Sequence, residues 1–468
     1  MNDLQLNGTD LRNIGFPQGK VIGIAIGLMQ KKYSYKTKEE VLDILGKVLA
    51  SPADYLEDTW LSKIADELIE KPEDTGYDIP LNDKKIEYAV FGKENIEEGA
   101  ITQMDIASHL PVAIAGALMP DAHQGYGLPI GGVLATENSV IPYGVGVDIG
   151  CRMCLSIFDI PTSVLKDDLR NMKGVIGRNT LFGSGKEFKA DECEENEVLD
   201  RKEFSEITLL KTLHKKAARQ LGSSGSGNHF VEFGTVEITS SENEFNLPAG
   251  IYLALLSHSG SRGLGATIAN HYTRLARELC KLPPEAKHLA WLDLNTNEGM
   301  EYWLAMNLAG DYASACHHTI HKKIAKMLNT QPVGMIENHH NFAWKEMLNG
   351  KEVIVHRKGA TPAANGVLGI IPGSMSAPGF IVRGKGDAAS LNSASHGAGR
   401  LMSRTQAEKN ITKTMMQQVL EDNGITLMGA GLDEAPQAYK DIHQVMKSQE
   451  HLVDVVGIFQ PKIVKMAE

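Results

Sequence analysis

The sequence predicts an α+β fold: one large domain of mixed sheets and helices over residues 81–468, with a small helical extension and its linker over 1–80. Three observations carry this expectation. Apolar runs short enough for buried strands recur from about residue 84, divided by glycine-rich turns. Helical stretches interrupt them without the regular strand–helix alternation of a doubly wound sheet. Residues 1 to about 70 carry helical spacing instead.

In the extension, Thr37 and Glu40 form a capping-box pattern ahead of Val41, Leu42, Ile44, Leu45, Val48 and Leu49 at helical spacing. Ser51-Pro52 restarts a helix with Leu56, Trp60, Leu61, Ile64 and Leu68 on one face. Lys71 to Asn82, with two prolines, a glycine and several charges, reads as a linker. Strands are expected at Lys85–Phe91, Pro111–Met119, Gly131–Leu134, Ile251–Leu256, Val353–Val355 and Val367–Ile371. Helices are expected at Ser205–Leu221, about Met300–Leu328, Thr405–Glu421 and Pro436–Gln449. The acid-rich Asp191–Glu203 reads as a solvated insertion.

With 468 residues, 42% hydrophobic and 22% charged, the chain can bury a large core. A net charge of −11 argues against a protein that coats nucleic acid without sequence preference. The charge is uneven: between Arg357 and Arg404 stand Arg357, Lys358, Arg383, Lys385, Arg400 and Arg404 against one acid, Asp387, a local surface suited to phosphate. The five cysteines are odd in number and lack framework spacing, which fits a reducing, cytoplasmic setting. The early apolar run Val21–Met29 is too short to span a bilayer and carries no cleavage site.

The chemistry gathers in glycine-rich turns. Asp148-Ile149-Gly150-Cys151 can aim a carboxylate and a thiolate into one space, although a buried cysteine beside an aspartate is also an ordinary core pair. His229, His258 and His340 stand in similar turns. Together these are one carboxylate, one thiolate and three imidazoles, more than one four-coordinate site needs. Two cations sharing the thiolate would use them all, and metal pairs suit phosphate chemistry. Ligand softness favours zinc over cobalt or manganese. Core histidines with satisfied ring nitrogens are the ordinary alternative for each.

Asn228 and Asn341 each adjoin a candidate ligand and can bind phosphate or sugar oxygens, or simply serve turns. His396, in Ser395-His396-Gly397-Ala398-Gly399-Arg400, can attack an activated phosphorus or act as a fourth imidazole ligand. Arg400 and Arg404 would share a face if helical and could clamp one phosphate. Pro372-Gly373-Ser374-Met375 follows an apolar strand and can present amides to a nucleotide, without matching a Walker pattern. His317-His318-x-x-His321 sits in an alanine-rich helix and reads as packing and surface.

Together these segments resemble the RtcB family of RNA-splicing ligases. The resemblance runs from about residue 85 to the end. It rests on Met119–Gly127, Val147–Cys151, Gly225–Glu232, His258–Gly263, His340-Asn341, Val355–Thr361, Pro372–Met375 and His396–Arg400, in that order. It implies a single catalytic domain with mixed sheets around a dinuclear centre. The implied activity is GTP- and manganese-dependent joining of RNA 3′-phosphate or 2′,3′-cyclic phosphate ends to 5′-hydroxyl ends, as in RNA repair and tRNA splicing. Asp148, Cys151, His229, His258 and His340 would hold two Mn²⁺ with the thiolate bridging, and His396 would become guanylylated. Asn228, Glu232, Asn341, Pro372, Gly373, Ser374, Met375, Gly397, Ala398, Gly399, Tyr439 and Lys465 would contact GTP. Arg262, Lys358, Arg400 and Arg404 would hold RNA phosphates. Two departures mark a divergent branch: Ser376-Ala377-Pro378-Gly379-Phe380 replaces the family's Gly-Thr-x-Ser-Tyr, and Arg152 stands where a glycine is common. The alternatives are an end-modifying enzyme that caps 3′-phosphates or opens cyclic phosphates without joining, and a non-catalytic metal- and RNA-binding protein.

Overall fold

The computed structural model describes residues 4–17, 19–69 and 78–467. The chain divides into two compact units, 1–76 and 77–468.

The smaller unit holds the helices Gly8–Asn13, Lys20–Lys32, Lys38–Ala50 and Ser62–Leu68. The Thr37–Glu40 capping box is formed, each side chain bonding the other's backbone N–H. Leu11, Ala25, Met29, Val41, Leu45, Val48 and Ile64 make its core. The face expected after Ser51 is only partly realised. Pro52–Tyr55 is a 3₁₀ turn and the α-helix restarts only at Ser62, so Leu61 and Ile64 are buried while Leu56 and Trp60 stay 44% exposed. Of the expected linker, residues 71–77 lie outside the described residues. Asp78 and Ile79 both donate backbone N–H to the Lys281 carbonyl, within the larger unit.

The larger unit is built on two main sheets. A five-stranded sheet runs in the order Tyr88–Val90, Ala113–Tyr126, Leu128–Thr136, Lys351–Lys358, Asn341–Leu348. The path of the second, eight-stranded sheet is Leu368–Ile371, Gly379–Gly384, Val453–Met466, Phe230–Ile238, Gly250–Ser259, Arg152–Phe158, Gly334–His339, with Thr426–Met428 added in parallel beside Val453–Met466. The mixed α+β expectation holds. The strand Ala113–Tyr126 reaches further than expected, and Lys85–Phe91 shrinks to Tyr88–Val90.

The helix expected near Met300–Leu328 spans Asn297–Met327, started by the Thr296 side chain accepting from the Gly299 N–H. That expected at Thr405–Glu421 is two helices, Arg404–Asn410 and Lys413–Asp422. Thr412 breaks it by capping the second through the Met415 N–H. Pro436–Gln449 is likewise a 3₁₀ turn, Pro436–Ala438, and a short helix, Ile442–Lys447, capped by Asp441. The expected insertion Asp191–Glu203 is largely exposed but anchored by the buried Val198 and Glu203, the latter paired with Arg201. No described helix is long and apolar enough to cross a membrane.

Antiparallel pairing decides where the candidate ligands meet. The starts of Arg152–Phe158 and Phe230–Ile238 lie beside the ends of Gly250–Ser259 and Gly334–His339. Arg152 is opposite Ser259 and His339, and Phe230 is opposite His258. Cys151, His229, His258 and His340 therefore share one end of the sheet. His340 is also the single residue between a strand of the large sheet and Asn341–Leu348 of the small one, so the site sits where the sheets join.

Candidate active site

At that junction lies a cavity of about 820 Å³. Cys151 Sγ is 3.2 Å from His258 Nε2 and 3.5 Å from His229 Nε2, and His258 Nε2 is 3.3 Å from His340 Nε2. Asp148 Oδ2 is 2.8 Å from His229 Nε2. Two ligand groups result, Cys151/His258/His340 and Asp148/Cys151/His229, sharing the sulfur. All but Asp148 are buried.

The donor set fits divalent cations. His258 Nδ1 bonds the Asn228 carbonyl at 2.9 Å, so the proton sits there and the Nε2 lone pair points inward. His340 Nε2 faces it at 3.3 Å beside the sulfur, a spacing at which the three atoms can share one cation. Burial, then His229, pushes His258 down to about 3, and burial with His396 and His258 pushes His340 well down. Burial opposes ionisation of Asp148, but His229, Cys151 and Arg262 outweigh it and hold the carboxyl low. Burial and Asp148 push the Cys151 thiol up, a preference that a bound cation reverses. The turn tolerates no side chain at Gly260, where an added Cβ would lie 2.0 Å from Asp148 Oδ1.

His396 follows the short strand Ser393–Ser395, whose pairing with Ala360–Pro362 sets it beside Gly359. Its ring centroid is 4.9 Å from that of His340. Its Nδ1 is 2.6 Å from Asp121 Oδ2, and the same oxygen accepts the backbone N–H groups of His396 and Gly397. Asp121 is completely buried; burial works against its charge, but His396 and Lys440 prevail and hold its carboxyl low. A carboxylate on Nδ1 fixes that nitrogen as the donor and leaves Nε2 with the lone pair. Asp121 lies in the Met119–Gly127 segment that carries part of the resemblance, but nothing in the sequence marks it as the partner of His396.

Asn228, Glu232 and the Pro372-Gly373-Ser374-Met375 loop line the cavity, as do Gly397, Ala398, Gly399 and Tyr439. Burial pushes the Glu232 carboxyl well up. Asn341 also lines it, but its amide already serves structure. Oδ1 accepts the Gly359 N–H at 2.8 Å and Nδ2 reaches the Asp148 carbonyl at 3.4 Å, tying together the two turns. Lys358, on the wall beside His396, donates to the Tyr126 carbonyl at 2.6 Å, and burial pushes its ammonium down to about 7.

One expectation is corrected, and two further side chains stand apart from the lining. Arg400 and Arg404 do not share a helical face, because the helix begins only at Arg404, behind a Ser403 cap. They converge instead on the buried Glu434, which also accepts from the Tyr439 hydroxyl, while Asp433 engages both arginines. No sequence signal singled out this acidic pair. Lys465 lies off the cavity wall: Val464 and Met466 face it, and the Lys465 ammonium reaches the Gly177 and Thr180 carbonyls. Arg262 is also off the wall, bonding Ser223 and the Gly183 carbonyl behind the ligand turns.

Arg152, next to the sulfur in sequence, turns the other way and is buried. It donates to the Gly310 carbonyl at 2.8 Å and pairs with Glu337 at 3.1 Å. Cys154 lies on the far face of the strand with His317 and His321, a third group with ligand-like spacing. Here the ring nitrogens are already matched. Ser156 donates to His321 Nδ1, His321 Nε2–H to Ser257, Ser257 to His317 Nδ1, and His317 Nε2–H to the Ser259 carbonyl. These two histidines pack, as expected, while His318 is at the surface, paired with Glu337.

The sequence model of a family described as "tRNA-splicing ligase RtcB" matches residues 103–466. An Escherichia coli protein named RNA-splicing ligase RtcB is 34% identical over 377 residues, covering 73% of this chain and 87% of that protein. A Nanoarchaeum equitans protein named tRNA-splicing ligase RtcB is 31% identical over 477 aligned positions, covering 86% of this chain and 98% of that protein. A Methanococcus maripaludis protein of the same name is 31% identical over 427, covering 75% and 88%.

Proposed function

The chain belongs to the RtcB family, and on that premise we propose that it is an RNA ligase joining a 3′-phosphate or 2′,3′-cyclic phosphate end to a 5′-hydroxyl end at the cost of GTP. The observation that carries the reading is the single cavity wall shared by the thiolate–imidazole cluster and by His396, whose Nδ1 is held by Asp121 at 2.6 Å. The His396 Nε2 lone pair attacks the α-phosphorus of GTP. A nitrogen–phosphorus bond forms, the bond to the pyrophosphate oxygen breaks, and Asp121 stabilises the charge gained by the imidazole.

The GMP then passes to a terminal oxygen of the RNA 3′-phosphate, freeing His396. The 5′-hydroxyl oxygen attacks that RNA phosphorus and displaces GMP. A cyclic phosphate is first opened by water. Divalent cations at Asp148, Cys151, His229, His258 and His340, for which we propose manganese, would neutralise charge on the phosphoryl oxygens. Glu232 and Asn228 meet the nucleotide together with the 372–375 loop. Lys358 takes the RNA phosphate at the reacting end. Arg400 and Arg404 reach phosphate only by sharing it with Asp433 and Glu434.

The test incubates the protein with Mn²⁺, labelled GTP and RNAs ending in 3′-phosphate and 5′-hydroxyl. The reading expects an acid-labile protein adduct and joined RNA. An adduct without joined RNA would leave an end-modifying enzyme, and no adduct at all would remove the covalent mechanism.

A further inference from the structure

One side chain on the cavity rim has no role in the chemistry above. Tyr126 ends the strand Ala113–Tyr126, at a tight hairpin whose Gly127 has φ +70°. The hairpin is pressed against a neighbouring segment, since a Cβ on Gly127 would lie 2.9 Å from the His288 carbonyl oxygen. The Tyr126 ring is thus carried on a constrained turn, yet it is 67% exposed. Its neighbours are Tyr143 and His288, at ring-centroid distances of 6.4 and 6.0 Å and interplanar angles of 61° and 66°. Neither is stacked parallel on it. An aromatic ring so exposed, carried on a constrained turn and with no ring stacked parallel on it, is what a stacking platform for a flat ligand requires.

What would be stacked there follows from the next residue along the wall. The Lys358 ammonium donates to the Tyr126 backbone carbonyl and sits 4.8 Å from the centroid of the Tyr143 ring. Gly359, beside Lys358, approaches His396 so closely that an added Cβ would lie 3.1 Å from its Cε1. A cation for phosphate, the imidazole of His396 and an exposed aromatic ring therefore line one cavity. A nucleotide end presents the matching pair, a charged phosphate and a planar base.

We propose that Tyr126 stacks the terminal nucleobase of the RNA strand whose 3′-phosphate lies at Lys358. This rests on the RNA-ligase reading and adds to it a base subsite. Every base has a π-face, so the contact is indifferent to base identity and discriminates between the presence and absence of a base. It holds the last nucleotide in place while its phosphate meets the guanylylated His396.

The experiment measures equilibrium binding of a 3′-phosphate RNA oligonucleotide, and of the same RNA with an abasic terminal nucleotide, to the full-length protein and to Y126F and Y126A. The wild type is expected to bind the abasic RNA about 5- to 150-fold more weakly, the range for one stacked base. Y126F should behave as the wild type. Y126A should lose about the same factor on the intact RNA and nothing further on the abasic one. Equal affinity of the wild type for both RNAs overturns the proposal, and this arm decides even if Y126A does not fold. An undiminished abasic penalty in Y126A also overturns it, because the base would then rest elsewhere. GTP labelling of the same preparations reports the ligase reading separately: a protein that labels and joins but ignores the abasic change sinks only the Tyr126 subsite.

Discussion

On the proposed mechanism, a single hydrogen bond at His396 decides which nitrogen would be the nucleophile. The buried Asp121 carboxylate holds Nδ1, so Nε2 keeps its lone pair. Asp121→Asn keeps the shape but can offer its amide N–H, which favours the other tautomer. We expect this variant to form the GMP adduct roughly 10- to 100-fold more slowly while binding divalent cations as before; rapid quench of labelled GTP against cation titration checks both. Lys358 gives a pH signature. Burial places its free value near 7, and a phosphate favours the charged form, so the value rises on binding. Above pH 7 the phosphate is already dianionic. Affinity for a 3′-phosphate RNA should therefore fall as pH rises from 7 to 9, by up to about tenfold per unit. A 3′-hydroxyl RNA should lack that slope. Asp121 was not legible as the imidazole's partner, because the two lie 275 positions apart and only the fold joins them.

At the scale of elements, the end of an antiparallel sheet is what gathers the ligands. Cys151 and His229 precede strands, whereas His258 and His340 come at or after strand ends, and antiparallel order puts all four together. The residue types and glycine-rich turns made these side chains readable as candidate ligands, although spacing alone could not pair them. Lys465 rested on the resemblance alone, and counting along its strand adds nothing. A bulge between Pro461 and Ile463 shifts the register of the last strand, so the faces cannot be counted through from its start. The expected Arg400–Arg404 face failed for a similar reason, since Ser403 starts a new helix between them. The helix Asn297–Met327 was readable from its long periodic pattern. The Gly260 position offers a test of the ligand turns. Gly260→Ala would drive a methyl group into the Asp148 carboxylate and away from His229. The expected result is a loss of at least about tenfold in affinity at one divalent-cation site with the second retained, read by calorimetric titration, while circular dichroism stays that of the parent.

At the scale of the molecule, the large unit brings into one cavity segments from residue 97 to residue 466. The mixed-sheet class was legible because short apolar runs alternate with glycine turns. The junction between the two sheets was not, because nothing local marks His340 as the residue at which the chain leaves one sheet for the other. The central claim is that this junction lets the imidazole at 396 carry a nucleotide. Peptide mapping by mass spectrometry after incubation with Mn²⁺ and GTP tests it most directly. The account predicts a GMP mass added on the peptide holding His396, lost on mild acid treatment and missing from His396→Ala. A GMP adduct on a lysine, or one that survives His396→Ala, would contradict it.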